Sequence, residues 1–489
     1  MAFGESKKLW IGSVALLLAG PFAGWQLASW PVKLRYPGEE NLAEGIPLAE
    51  MLHLRQGVRI YDPPSPERFD AANYGPLYYL LGSRLVNPQE PAYLPLRLVS
   101  LLGTLGCAAG CSLLALWLSR SYFAATLAPL LFLSYRIVTF HGISARCDVV
   151  ALSLSFWGFL IAYRSRNSRT LLLAVPLILL GFFYKQQFVA EPLAILLFLL
   201  LERRNRLAAE FAASSVLGGL GLLAFFQFVA FPQEAFLKHF LSYNVLPFSA
   251  QRFGSGIVFF GTLFFFPALV GSEFLRCRRD KLLACYVGCA ITLGIVTFAR
   301  EGSDANYFLA CALVLSSLFA ALLAERLTER SRPAELLVLL VISVLLGQLF
   351  ATSPPRQEDF ARDRTLQDFL GRNFSPSTLA LGYYTGDLVR ARLDTPISNL
   401  YHFTWLIRKG LTSDRDLCSE LHNHRFGVVV LNFDLEHDQN PYWVNYYLTE
   451  PMRQAILANY QPEASLEMPE VEKFRANDRF YVWVPRGLR

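Results

Sequence analysis

One feature constrains this chain before any other: stretches of apolar sequence at or near membrane-spanning length recur through its first 350 residues. They lie near 9–30, 94–118, 121–139, 146–163, 170–184, 186–201, 208–231, 257–275, 282–299, 306–324 and 334–352. About 20 apolar residues carry a helix across the roughly 30 Å of bilayer hydrocarbon. A chain with so many such runs folds with lipid as its main solvent. Composition agrees: 17% of the 489 residues are charged and 53% are hydrophobic, against roughly 25% charged in an average soluble domain. The expected fold is mainly α, a polytopic membrane protein with about eleven transmembrane helices.

The net charge of +6 comes mainly from clustered bases at Lys7/Lys8, Arg120, Arg164/Arg166/Arg169, Arg203/Arg204/Arg206, Arg276/Arg278/Arg279/Lys281 and Arg326/Arg330/Arg332. Basic residues favour the cytoplasmic side. With these clusters inside, every alternate connection faces in, which places the N-terminus in the cytoplasm. Lys7-Lys8 before "LWIGSVALLLAGPFAGWQLASW" has the charge of a signal peptide. Its apolar stretch is too long for one and no small-residue cleavage site follows cleanly, so it reads as a retained first span. Charge distribution of this kind reflects topology, not nucleic-acid binding.

Residues 170–201 test the scheme, because arginine clusters flank both ends and Lys185-Gln186-Gln187 interrupts the middle. Parity requires two crossings of about 15 residues, or roughly 23 Å of helix each. Two short helices with a sunken apex would set Lys185 on the floor of an outward-facing cavity. The outer connections are then 31–93, a turn around 140–148, this apex, 232–256, 300–306 and everything after about 352. Gly75-Pro76 in "NYGPLYYLLGSRLV" and the segment "PQEAFLKHFLSYNVLPFSAQRFG" read as interfacial helices.

Past "ATSPPRQED" the composition becomes that of a soluble domain. "STLALGYY", "FGVVVLNFDL" and "DRFYVWVPR" look like strands, while "EDFARDRTLQDFLGRN" and "EPMRQAILANY" look helical. The expected organisation is a membrane domain over 1–352, with its first outer loop at 31–93, and a small extracytoplasmic α/β domain over 353–489. The eight cysteines show no paired metal spacing and imply neither a disulfide framework nor a zinc site. His422 and His424 in "LHNHRF" have no third ligand in sight and read as a surface loop. "FDLEHDQNPYW" reads as a solvated turn after a strand.

The outer connections collect ionisable groups: Glu39, Glu40, Arg146, Asp148, Lys185, Arg300, Glu301 and Asp304, followed by Asn306 and Tyr307. Charge at membrane depth is costly and usually functional. The bland alternative is that interfacial groups are simply solvated. Asp148 opens a helix and equally suits an N-terminal capping role, as do Ser303 and Asp304 before the span near Asn306.

An acidic pair after the first span, then "GVRIYDPP", then "NYGPLYYLLG", resembles the first outer loop of GT-C-fold glycosyltransferases. These include protein O-mannosyltransferases, aminoarabinose transferases and Rgt-type bacterial enzymes. "SARCDVVALSLSFWGFLIAYRSR", "FFYKQQFVAEPLAILLFLL" and "GSDANYFLACALVLSSL" look like later segments of bacterial members, so the resemblance covers about 1–324. Many relatives carry Asp-Glu where this chain has Glu39-Glu40. The resemblance implies transfer of a sugar from a polyprenyl phosphate to a lipid, glycan or protein acceptor in the cell envelope, at a bacterial inner membrane. Glu39 or Glu40 would accept the acceptor's proton, and the other would orient the acceptor or hold a divalent cation, Mg or Mn. Lys185, Arg146 and Arg300 would bind the donor phosphate and offset charge on the departing group. Tyr74, Asp148, Asp304 and Tyr307 would contact substrate. Inverting logic gives a single displacement. Two rival readings are a transporter or lipid-linked sugar flippase and a non-catalytic membrane scaffold. Against a transporter, the chain has no paired halves, and its charges gather at the ends of spans.

Overall fold

Each apolar run becomes helix, as it must where no water satisfies backbone groups. The computed structural model describes residues 2–40, 44–329, 333–349, 353–437, 445–472 and 479–487. Arg330, Arg332, the end of the last run at 350–352, Asp478 and the acidic turn from 438 onward lie outside them. Helix α1 (Ala2–Arg35) leads into the first loop, which carries α2 (Gly45–Arg55) and α3 (Pro76–Leu85). Then come α4 (Leu94–Ser119), α5 (Tyr122–Ser134), α6 (Arg136–Gly142), α7 (Asp148–Arg164), α8 (Val175–Tyr184), α9 (Ala190–Leu201) and α10 (Asn205–Phe225). After the one-turn helix α11 (Phe236–Lys238), the membrane part closes with α12 (Ala250–Arg278), α13 (Lys281–Phe298), α14 (Leu309–Glu329) and α15 (Pro333–Leu346).

Six of these segments are long and apolar enough to cross a membrane on length and composition, and α5–α6, bent by 75°, would make a seventh. The remaining runs form helices too short to meet that test: α8 with its leading turn, α9, α15, and α7 at 17 residues. The protein is an integral membrane protein. Burial separates the helices sharply. The α14 span is 94% buried in the bundle, whereas the α10 span is 6% buried and presents its apolar side chains outward.

Close backbone approaches lock the helices that carry the site. A Cβ on Gly181 of α8 would stand 2.8 Å from the Ala151 carbonyl of α7, and one on Gly103 of α4 would stand 2.8 Å from the Val150 amide. Small residues at such crossings let membrane helices pack where lipid supplies no hydrophobic drive. Within the bundle, Glu191 accepts from Ser155 Oγ at 3.0 Å and Tyr286 Oη at 2.8 Å, tying α9 to α7 and α13.

Beyond α15 the chain forms a four-stranded sheet, β1 (Ala380–Gly382), β2 (Val428–Leu431), β3 (Tyr460–Glu467) and β4 (Arg479–Pro485), in the order β1-β2-β4-β3. β1 and β2 are parallel, and the other pairs are antiparallel. Helices α16 (Gln357–Asn373), α17 (Thr385–Arg390), α18 (Leu400–Arg408), α19 (Arg415–His422) and α20 (Glu450–Asn459) complete it. Edge strand β3 was not expected from "YQPEASLE". Its Pro462 is tolerated because an edge strand has one free side, and the ladder shifts register between Pro462 and Ala464. The first loop is stitched to this sheet domain. Phe69 N donates to Pro396 O at 2.7 Å, Ser398 N to Phe69 O at 3.0 Å, and Ser398 Oγ to Glu50 at 2.9 Å.

Candidate active site

Lys185 sits where the chain breaks between α8 and α9, with extended backbone at φ −155° and ψ 121°. It lines a cleft of about 530 Å³, well within the size range of small-ligand sites. Its Nζ pairs with Asp148 Oδ1, which also accepts from Asn306 Nδ2. Arg146 Nε donates to Asp148 Oδ2 at 3.0 Å. Asp148 is therefore no helix cap. It is a fully buried carboxylate that locks two cations in place, while Arg146 and Lys185 themselves line the cleft.

Tyr74, Arg300, Asp304, Asn306 and Tyr307 line the same cleft. The Tyr74 ring centre lies 5.2 Å from Lys185 Nζ, and that of Tyr307 lies 5.9 Å away. Arg300 Nη2 donates to Tyr307 Oη at 3.2 Å, and its buried Nε has no hydrogen-bond partner among the described residues. Asp304 caps the turn at Ala305–Phe308, accepting from the Ala305 amide at 2.6 Å, yet its side chain stays about half exposed at 48%. Ser303 does not cap that turn; its hydroxyl donates to Thr297 O. Val245, Phe248 and Val296 give the same cleft an exposed apolar lining, with Phe248 bridged to Arg300 through the backbone.

The first loop reaches this cleft through Gly75. Its amide donates to Tyr184 O at 3.2 Å, and any Cβ there would collide with the Phe183 carbonyl. Only glycine lets Tyr74 press against the apex that carries Lys185. This gives a physical reason for the glycine in "NYGPLYY".

Glu39 and Glu40, expected at the same place, do not line the cleft. They lie in a buried joint between the start of the first loop and the sheet domain. Glu40 pairs with Lys33 at the end of α1, and its backbone amide donates to Glu44 Oε2 at 2.7 Å. Glu44 is gripped by Arg97, Nε to Oε1 at 3.1 Å and Nη2 to Oε2 at 2.7 Å, and also accepts from the Ala145 amide. Glu39 faces Gly45, Gly386 and Asp387. Burial first, then Asp387 and Glu44, pushes the Glu39 carboxyl up to about 8. Burial also raises Glu40, with Lys33 and Arg97 opposing, whereas Arg97 overcomes burial and holds Glu44 below the usual carboxylate range.

Three of these residues escaped the sequence reading. Arg97 is fully buried and also donates to the carbonyls of Lys33, Tyr36 and Gly38. Its signal was a lone arginine inside the apolar run 94–118. Glu44 stood in plain view four residues past the acidic pair. His141, buried at the end of α6, lies 3.7 Å from Asp304 through Nε2, and neither ring nitrogen has a hydrogen bond among the described residues. His422 and His424 stay at the surface as expected, the first bonded to Asn459 and the second edge-on to Tyr460. Among the described residues, Asp363, Asp387 and Glu472 are a group of carboxylates spaced to share a cation.

Bent and short helices surround the cleft and join a C-terminal sheet domain. The chain is similar over nearly its whole length to ArnT from Cupriavidus metallidurans. The apo ArnT structure superposes with a TM-score of 0.57 at 11% identity, covering 94% of this chain and 97% of that one. ArnT bound to undecaprenyl phosphate gives 0.56, also at 11% identity, over 96% and 98%. The apo Archaeoglobus fulgidus oligosaccharyltransferase matches at 0.51 and 13% identity, covering 93% of this chain and 73% of that one. No protein-family model matches the sequence, and no curated protein does. At these identities the likeness establishes the fold, and function has to be argued from the site.

Proposed function

We propose that this protein is an integral-membrane glycosyltransferase that moves a sugar from a polyprenyl phosphate to an acceptor by single displacement. The observation that carries this reading is the pairing of Arg146, Lys185 and Arg300 with an apolar lining in one cleft. Cations suit the phosphate, and Val245, Phe248 and Val296 suit the first isoprene units of its lipid. That the solved ArnT relative was captured with undecaprenyl phosphate makes this donor class the natural one to test.

The acceptor hydroxyl or amine attacks the anomeric carbon, the carbon–oxygen bond to phosphate breaks, and the lipid phosphate leaves with the bonding electrons. Arg146, Lys185 and Arg300 offset the charge that builds on that phosphate, an effect commonly worth a few kcal/mol per donor. The proton passes to a carboxylate. Asp304 takes this role in the cleft, with its open side chain and His141 Nε2 3.7 Å from its carboxylate. The assignment of the base to Glu39 or Glu40 rests on the sequence resemblance, and their burial beneath the loop weighs against it.

The test is transfer by purified protein from a panel of polyprenyl-phosphate sugars to a membrane extract. Lys185→Ala should lose donor binding, and Asp304→Asn should bind donor but transfer at least 100-fold more slowly. Full activity in Asp304→Asn, with loss in a folded Glu39→Gln or Glu40→Gln, would return the base to the acidic pair. Lipid or sugar flux without transfer would favour the flippase.

A further inference from the structure

The joint that buries Glu39 holds more carboxylates than cations. Glu39, Glu40, Glu44, Asp363, Asp387 and Glu472 meet there, against Lys33, Arg97 and Arg390. Glu40 takes Lys33, Glu44 takes Arg97, and Asp363 takes Arg390 through both oxygens, at 2.7 and 2.9 Å. Asp387 shares Arg390 through one oxygen at 3.1 Å. Glu472 has only the Tyr36 hydroxyl, which donates to Oε1 at 2.5 Å. Asp387 Oδ2 and Glu472 Oε2 are buried without a hydrogen-bond partner among the described residues. A buried carboxylate oxygen left bare is expensive, and two facing one small volume compound the cost.

A separate group lies beside Asp387. Tyr93 Oη is buried at the head of α4 and has no hydrogen-bond partner among the described residues. It faces Gly386, the neighbour of Asp387, where a Cβ would collide with both Tyr93 Oη and Glu39 Oε1. A phenol oxygen in that position has lone pairs to offer and no protein donor to receive. Gly38 closes the other side: a Cβ there would collide with Glu472 Oε1 and stand 2.9 Å from Asp363 Oδ1. Backbone from the first loop is thus pressed directly against carboxylates of the sheet domain.

From this geometry we infer that Asp363, Asp387 and Glu472 bind a hard divalent cation, such as calcium or magnesium, which clamps the sheet domain to the start of the first loop. One ligand atom from each of the three carboxylates lies within 4.8 Å of the others. All-oxygen donors suit a hard cation, and no sulfur or imidazole in this trio invites zinc. The ligands come from α16, α17 and the turn Glu470–Glu472, and the opposing wall from α1, the first loop and α4. Bound there, the ion would join the two halves of the protein at one point. Its role is structural, and none of its three ligands lines the cleft.

The experiment uses the full chain in detergent, stripped with chelator and dialysed at neutral pH. Metal content is read by elemental analysis after calcium, magnesium, manganese or zinc is added alone, and melting temperature is read in parallel. One calcium or magnesium retained per chain, with melting raised by several degrees and proteolysis between the domains slowed, is the expected result. Glu472→Gln and Asp387→Asn should lose both the ion and the shift, while the surface variant Asp416→Asn keeps them. Should either variant fail to fold, the chelator dependence of the unaltered chain still decides the matter. No retained ion and a melting temperature indifferent to chelator overturn the clamp. So does a stripped Glu472→Gln protein more stable than the unaltered chain with calcium present, because protons would then be what fills the joint.

Discussion

The cleft and the acidic joint are opposite solutions to one problem. In the cleft a single buried carboxylate, Asp148, holds Lys185 and Arg146, and Arg300 stands nearby with an unbonded Nε. In the joint three cations serve six carboxylates. The two regions touch through Glu44, which accepts from Arg97 on one side and from the amide of Ala145, next to Arg146, on the other. In the joint the spare carboxylates call for a cation, whereas in the cleft Arg146, Lys185 and Arg300 share the lining with Glu301 and Asp304, so charges of both signs face one cavity.

The comparison can be broken in order of expected effect. Arg97→Met should be most damaging, because it strands Glu44 unpaired and enlarges the joint's excess of carboxylate. Removing one partner of a buried pair costs roughly 3–5 kcal/mol, readable as a loss of folded protein in thermal melts. Adding Glu44→Gln to that variant should restore part of the loss; no restoration would mean that Arg97 acts through the backbone carbonyls it binds.

Acid is a milder probe, aimed at the seam between cleft and sheet domain. His402 lines the cleft, and its Nε2 is paired with the Tyr243 carbonyl at 3.0 Å. Burial, with smaller help from His239 and Lys409, pushes its pKa down to about 4. A depressed histidine resists protonation in the folded state. Its contribution is complete above about 6.5 and is lost as pH falls from there to about 4, by roughly 3 kcal/mol in all. Melting curves across that window should show the decline, and His402→Gln should flatten it unless the nearby His239 dominates.

The most local change is Gly75→Ala. Its Cβ would collide with the Phe183 carbonyl oxygen, so backbone must shift, at a cost at or above the roughly 1–3 kcal/mol usual for overpacking. Here it should push Tyr74 away from Lys185, lowering donor affinity while the joint's stability and any cation binding stay unchanged. Equal damage to both regions would show that the first loop moves as one rigid piece.

Much of the membrane architecture was legible because apolar length is a one-dimensional signal. The break at Lys185, the Gly75-Pro76 helix start and the helices and strands around 357–373, 428–431 and 479–485 all appear where the sequence puts them. Tyr74, Arg146, Lys185, Arg300, Asp304 and Tyr307, all singled out in the sequence, line one cleft. Edge strand β3 was hidden by its proline and polar alternation, and Arg97 by the apolar residues around it.

What the sequence determined by itself is that this chain lives in lipid, where its helices break, and which charges sit at those breaks. Tertiary structure decided which charges meet. Glu39 and Glu40 follow the first span as suitably as any catalytic pair, yet Asp363, Asp387 and Glu472, more than 300 residues away, fold over them. Asp148 looked like a cap until Lys185 and Asn306 arrived from α8 and α14's leading turn. A residue's neighbours along the chain fix its cost of burial, but the partners that repay it come from distant segments, and only the folded protein brings them within reach.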